Sequence, residues 1–200
     1  VYELRGVSCL PLELVAAPKK GICCSRAFGR YITDQDEVRA AVQFHIMRGA
    51  EKLRFEGVQA KHLTVFIQGN PFSSVHPYYG RSTATTLAVP TDYTPDLAGA
   101  ANTLFDRIWR QGIHYMKAGI FLNDFVPAST VKVDLFDDRD RDKEKRVMQA
   151  MDQINARFGS RTVQIAAMAG VRGAEPAWSM RREFRSPHYT TSWAELATVR

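Results

Sequence analysis

Long apolar runs are missing from this 200-residue chain. A bilayer-spanning helix needs about 18 or more consecutive apolar residues, and no stretch here supplies them. Cysteine is scarce: Cys9, Cys23 and Cys24 cannot build a disulfide framework. An odd count with one adjacent pair fits reduced, buried thiols in a cytosolic protein. Metal-ligand spacing is missing too, since there is no Cys-x-x-Cys and the five histidines (45, 62, 76, 114 and 188) are scattered. No glycine-rich loop leads into Lys-Ser or Lys-Thr, so a phosphate cradle of that kind is excluded. The acidic run Asp137, Asp138, Asp140 and Asp142 is interleaved with Arg139, Arg141 and Lys143, which would oppose a cation. It also lacks the glycine and distal glutamate of a calcium loop. With no nucleophile–base pair or carboxylate pair standing out, the chain reads as a non-enzyme carrying no cofactor. Val1-Tyr2-Glu3-Leu4-Arg5 offers neither an initiator methionine nor a signal layout, as expected for a piece of a longer protein.

What the chain does have is a basic balance. Lys plus Arg number 27 against 21 acids, a net charge of +6, and apolar residues make up 45%. The first favours polyanionic partners through its field, and the second is ample for a buried core.

Periodicity divides the chain into elements. Residues 1–20, punctuated by Pro11 and Pro18, read as a connector, and Ile22 to Phe28 as a strand. Thr33-Asp34-Gln35-Asp36 resembles a capping box with Thr33 as cap, and Val38, Val42, Ile46, Ala50 and Leu53 then recur at helical spacing. His62 to Gln68 alternates, with Leu63, Val65 and Ile67 on one side, and Ser82 to Ala88 forms a Thr-rich strand. Thr94-Pro95-Asp96 predicts a helix start with Thr94 as N-cap, running to Gly112, and Tyr115 to Leu122 a fourth strand. Strand, helix, strand, strand, helix, strand is the split β-α-β pattern of an α+β, ferredoxin-like fold, with two helices on one face of a four-stranded antiparallel sheet. Val126 to Thr130 reads as linker, Asp137 to Lys145 as solvated surface, and Val147, Met151, Ile154 and Phe158 as a third helix. The aromatic tail is expected to form a small appendage.

Function is expected on the sheet face that the helices leave bare. Lys19, Lys20, Arg26 and Arg30 cluster about the first strand, whose alternation sends Ser25 and Arg26 to opposite faces. Lys61 and His62 open the second strand, Arg81 precedes the third, and Lys117 lies on the fourth. Such cations neutralise phosphates without reading bases. The competing explanation is that they only solvate the sheet. An RNA-recognition module shares the element order, but Phe66 and Phe121 lack the Lys/Arg-Gly-Phe/Tyr setting it would bring. Lys132-Val133-Asp134-Leu135-Phe136 offers a short apolar pair that could enter a partner's pocket or pack on this chain's own core.

Several blocks resemble the UmuC-type subunits of Y-family translesion polymerases. They are Ile22-Cys23-Cys24-Ser25-Arg26-Ala27-Phe28-Gly29, Pro77-Tyr78-Tyr79-Gly80, Asp106-Arg107-Ile108-Trp109 and Tyr115-Met116-Lys117-Ala118-Gly119. Trp178-Ser179-Met180-Arg181-Arg182 and Ser186-Pro187-His188-Tyr189-Thr190-Thr191 continue the series in the tail. The resemblance implies a thumb connector at 1–20 and a DNA-gripping little finger at 21–125. It further implies a linker with a clamp-binding-like peptide at 126–136 and a UmuC-type C-terminal region at 137–200. Phosphates of a damaged template–primer would lie near Ser25, Arg26 and Arg30. Lys132 to Phe136 resembles a Gln-Leu-x-Leu-Phe sliding-clamp peptide, with Lys132 in place of the Gln and Val133 in place of the first Leu. UmuD′ and RecA are further partners implied, in the bacterial cytoplasm. The Mg2+ ions of polymerisation would belong to a palm outside these residues.

Overall fold

The computed structural model describes residues 2–10, 14, 17–130, 139–160, 162–165, 178–180 and 186–196. Four strands and two helices form a layered unit: β1 (Gly21–Ile32), α1 (Gln35–Glu56), β2 (Val58–Gly69), β3 (Gly80–Thr91), α2 (Thr94–Ile108) and β4 (Tyr115–Pro127). A third helix, α3 (Arg141–Phe158), follows. The predicted α+β architecture is the one observed, and every strand is longer than its periodic stretch. Val126 and Pro127, read as linker, are strand residues, because β4 keeps pairing with Gln59 and Val58.

The sheet runs β1-β4-β2-β3 with all neighbours antiparallel. β4 therefore lies between β1 and β2, which run parallel to each other across it. This inserted strand is what the split β-α-β pattern requires. It also places β2 and β4 in the centre, with β1 and β3 at the edges.

Asp34 rather than Thr33 caps α1, its carboxylate accepting from the Glu37 N–H at 2.9 Å. Gly57, at φ 67°, closes the helix in the left-handed conformation. The apolar stripe from Val38 to Leu53 is fully buried, against Leu63, Val65, Ile67, Ala118, Ile120 and Leu122 of the central strands. Gly49 permits this contact: a Cβ there would approach the Leu122 and Ile120 Cδ1 atoms at 2.9 and 3.0 Å. α2 buries Leu97, Ala101, Leu104 and Phe105 beside it, and the Gln43 Nε2 joins the helices by donating to Ala98 O and Asn102 Oδ1.

Thr94 is not an N-cap. It is the first residue of α2, fully buried, and its hydroxyl accepts from Arg54 Nη1 at 3.0 Å. The helix also stops at Ile108 rather than Gly112. Beyond it the Tyr115 hydroxyl accepts from Arg110 N and donates to Arg110 O, bracing the turn into β4. The thiol expectation fails for two residues: Cys9 and Cys23 are exposed, and Cys24 alone is buried. Burial raises the Cys24 pKa, offset in part by the Lys52 ammonium 3.6 Å from its sulfur.

Candidate nucleic-acid interface

Strand alternation decides which side chains reach the uncovered side. Residues opposite one another in an antiparallel pair share a face, so register propagates the assignment across the sheet. Cys23, Ser25 and Ala27 on β1 stand opposite Phe121, Gly119 and Lys117 on β4. Thr64, Phe66 and Gln68 on β2 stand opposite the same three, and His62 stands opposite Asn123. Ser82, Ala84 and Thr86 on β3 complete the face. All these described positions are half-buried or exposed except Gly119.

Of the sequence candidates, Ser25, His62 and Lys117 reach this face. Lys20 precedes β1 and Lys61 occupies the irregularity between Ala60 and His62, both as exposed cations at the border of this face, and the exposed Arg30 lies near the far end of β1. Lys19 pairs with Glu56 and Arg30 is 3.5 Å from Glu37, both glutamates of α1, so these two cations turn towards the helix side.

Arg26 and Arg81 do not join the bare face. Arg26 pairs with the buried Ala118 and Arg81 with the buried Ile67, so both leave the sheet on the helix side. The Arg81 guanidinium lies 5.5 Å from the Tyr79 ring centroid. Arg26 contributes to the field around His45 of α1. Burial first, then the Arg26 and Lys52 charges, holds the His45 pKa down at about 4. The expected basic face is thus a mostly neutral face with a basic rim.

Two aromatic rings dominate that face. The Phe66 ring leans across Gly119, where a Cβ would meet Phe66 Cζ at 2.5 Å and Ser25 Cβ at 2.4 Å. The Phe121 ring leans over Gly21 in the same way, at 2.7 Å from a would-be Cβ. Lys117 Nζ is 5.9 Å from the Phe66 ring centroid. The His62 Nδ1 meets the Thr86 hydroxyl at 3.0 Å, and its Nε2 is 3.4 Å from Asp124, a non-glycine residue at φ 55°. Both phenylalanines were visible in sequence. Their seating on glycines of the neighbouring strand was not, because it depends on register.

The charged run before α3 is not plain solvated surface. Asp140 caps α3 by accepting from Lys143 N at 2.8 Å, and Arg139 bridges Asp96 and Glu144. The key contact comes from Arg54 in the last turn of α1. Its guanidinium, with the side chain only 10% exposed, grips both Asp152 oxygens at 2.6 and 2.8 Å and the Asp92 carbonyl at 2.7 Å. In the tail, Trp178 is buried against Phe44, with ring centroids 4.8 Å apart, and Ser179 O accepts from Gly29 N on β1. Lys132, Val133, Asp134, Leu135 and Phe136 lie outside the described residues.

Among known proteins, residues 19–135 match the impB/mucB/samB family C-terminal domain, and residues 145–199 match a domain of unknown function, DUF4113. The chain is 41% identical, over its whole length, to Protein UmuC and to Protein SamB of Salmonella typhimurium. It covers 47% and 46% of those proteins respectively, about half of their length. A DNA polymerase IV from Bacillus velezensis is 25% identical over 68% of this chain and 31% of its own.

Proposed function

From the premise that this chain belongs to the impB/mucB/samB family, we propose that it is the DNA-gripping and partner-docking portion of an error-prone SOS translesion polymerase subunit. The observation that carries the reading is the one-sided packing of the sheet. Both helices cover one face, and the other is left open, carrying Lys117 and flanked by the exposed Lys20 and Lys61. A duplex is large, smooth and polyanionic. A flat face of short polar side chains with cations at its border suits it better than a pocket would. Grip of this kind is independent of sequence, as an enzyme passing over damaged template requires. Residues 21–125 are proposed as the little finger, with 1–20 as connector and 126–136 as the stretch that offers a clamp peptide. On this reading 137–200 is the region turned towards UmuD′ and RecA, in the bacterial cytoplasm. Nucleotidyl transfer and its metal ions belong to other parts of the parent protein.

Salt titration of duplex binding tests the grip. Log affinity should fall against log salt by roughly 0.9 per phosphate neutralised. Changing Lys20 and Lys117 to Ala together should flatten the slope by about two units. An unchanged slope contradicts the assignment of this face.

A second reading is favoured by the neutrality of the open face: a protein-interaction module with an incidental basic rim. Titration with sliding clamp, comparing Leu135→Ala and Phe136→Ala, separates the two. Clamp binding with no duplex binding at any salt would support the module alone.

A further inference from the structure

Phe66 and Phe121 cover glycines of the neighbouring strands and still reach the open face of the sheet. Each ring leans over a glycine of the adjacent strand, and Phe121 is still 38% exposed. They stand on β2 and β4, the two central strands. Phe66 is opposite Gly119 and Phe121 is opposite Thr64, so the two are diagonal neighbours whose Cα atoms lie about 7–8 Å apart. Around them are short polar groups: Ser25, Thr64, Gln68, Ser82 and Asn123.

The rings at the centre of this face add a surface that duplex phosphates do not use. Lys117 places its ammonium 5.9 Å from the Phe66 ring centroid, and His62 is shared between Thr86 and Asp124. What the rings do offer is π-surface, which stacks on an unpaired base whatever its identity. Paired bases keep their faces hidden in the helix. An aromatic ring on each central strand of such a sheet, with hydrogen-bonding groups around it, is the general solution for holding splayed single-stranded bases.

We propose that Phe66 and Phe121, seated on Gly119 and Gly21 with Lys117 alongside, form a stacking platform for two unpaired nucleotides of single-stranded DNA. The inference rests on the reading of the open face as a nucleic-acid interface and names the part of the nucleic acid that the face holds. Stacking supplies contact at the centre while the rim cations neutralise backbone phosphates on either side. The platform is neutral, so its share of the affinity is insensitive to salt. Hydroxyl and amide neighbours can accept any base edge, so sequence preference is slight.

The test uses the full chain and fluorescence anisotropy with labelled oligothymidylate, an abasic oligonucleotide of equal length and a blunt duplex. Phe66→Leu and Phe121→Leu keep apolar cover over the glycines while removing the π-face. Each should lower oligothymidylate affinity about fivefold or more while changing duplex affinity less than twofold. The unsubstituted chain should bind the abasic strand about fivefold or more weakly than it binds oligothymidylate. That comparison needs no variant to fold. Oligouridylate, run alongside, should match oligothymidylate if the base face is what is held. Equal binding of abasic and base-bearing strands would overturn the platform, and so would an equal loss on duplex and single strand. Failure of the duplex itself to bind would instead overturn the grip on which the inference rests.

Discussion

The layered unit spanning β1 to β4 and the helix α3 are held in place by different physics. The unit owes its order to repeated apolar burial: Val38, Val42, Ile46, Leu53, Leu63, Val65, Ile67, Ile120 and Leu122 are all inaccessible. α3 buries only Met148 and Met151, and is fastened by Arg54–Asp152 and by the Arg139 bridge between Asp96 and Glu144. Many small apolar contacts tolerate the loss of any one. A few directional contacts do not, so the second region should detach while the first stays folded.

Arg54→Ala should break that comparison most severely. Removing one partner of a largely buried pair leaves Asp152, the Asp92 carbonyl and the Thr94 hydroxyl unsatisfied, at a cost of about 4 kcal/mol. Hydrogen exchange should show α3 amides losing protection first, with the sheet retaining more. Uniform loss across both regions would mean that they form one cooperative block.

His45 offers a test confined to the layered unit and the Trp178 segment beside it. Its folded pKa of about 4 lies below the ordinary value of 6.5. The unfolded chain therefore binds the proton more readily, and stability falls as pH drops from about 6.5 towards 4. The shift corresponds to roughly 3 kcal/mol. Chemical denaturation across this range should show the decline in the parent chain, and His45→Gln should remove most of it.

Gly119→Ala sharpens the contrast on the open face. The new methyl would meet Ser25, Phe66 and the Cys24 carbonyl, and should cost about 2 kcal/mol by thermal melting. The gentlest comparison sets two helix caps against each other. Asp34→Ala should lower global stability by about 1 kcal/mol, whereas Asp140→Ala should reduce exchange protection in α3 alone.

Sequence made the first region legible because periodicity reports burial directly. The Leu63, Val65 and Ile67 alternation and the Val38-to-Leu53 stripe both point at the core that forms. Caps were harder. Thr33 and Asp34 are both competent, and only backbone geometry selects Asp34; Thr94 reads as a cap until the guanidinium of Arg54 claims its hydroxyl. The candidate site was legible in part. Lys117, His62 and Ser25 fall where alternation sends them, but Arg26 and Arg81 turn to the helix side with their buried cross-strand partners. Clustering in sequence carries no information about face unless register is known. The docking of α3 left no pattern at all, since Arg54 differs in no local respect from the other exposed-looking charges of α1.

The central claim, that the open sheet face with its basic rim holds nucleic acid, is tested most directly by an amide-exchange footprint. The chain would be titrated with a primer–template junction carrying a single-stranded overhang. Slowed exchange along β1, β2 and β4 around Ser25, Phe66 and Lys117, with α1 and α2 unchanged, is the predicted result. Protection confined to the helices, or none on the sheet at saturating DNA, would contradict it.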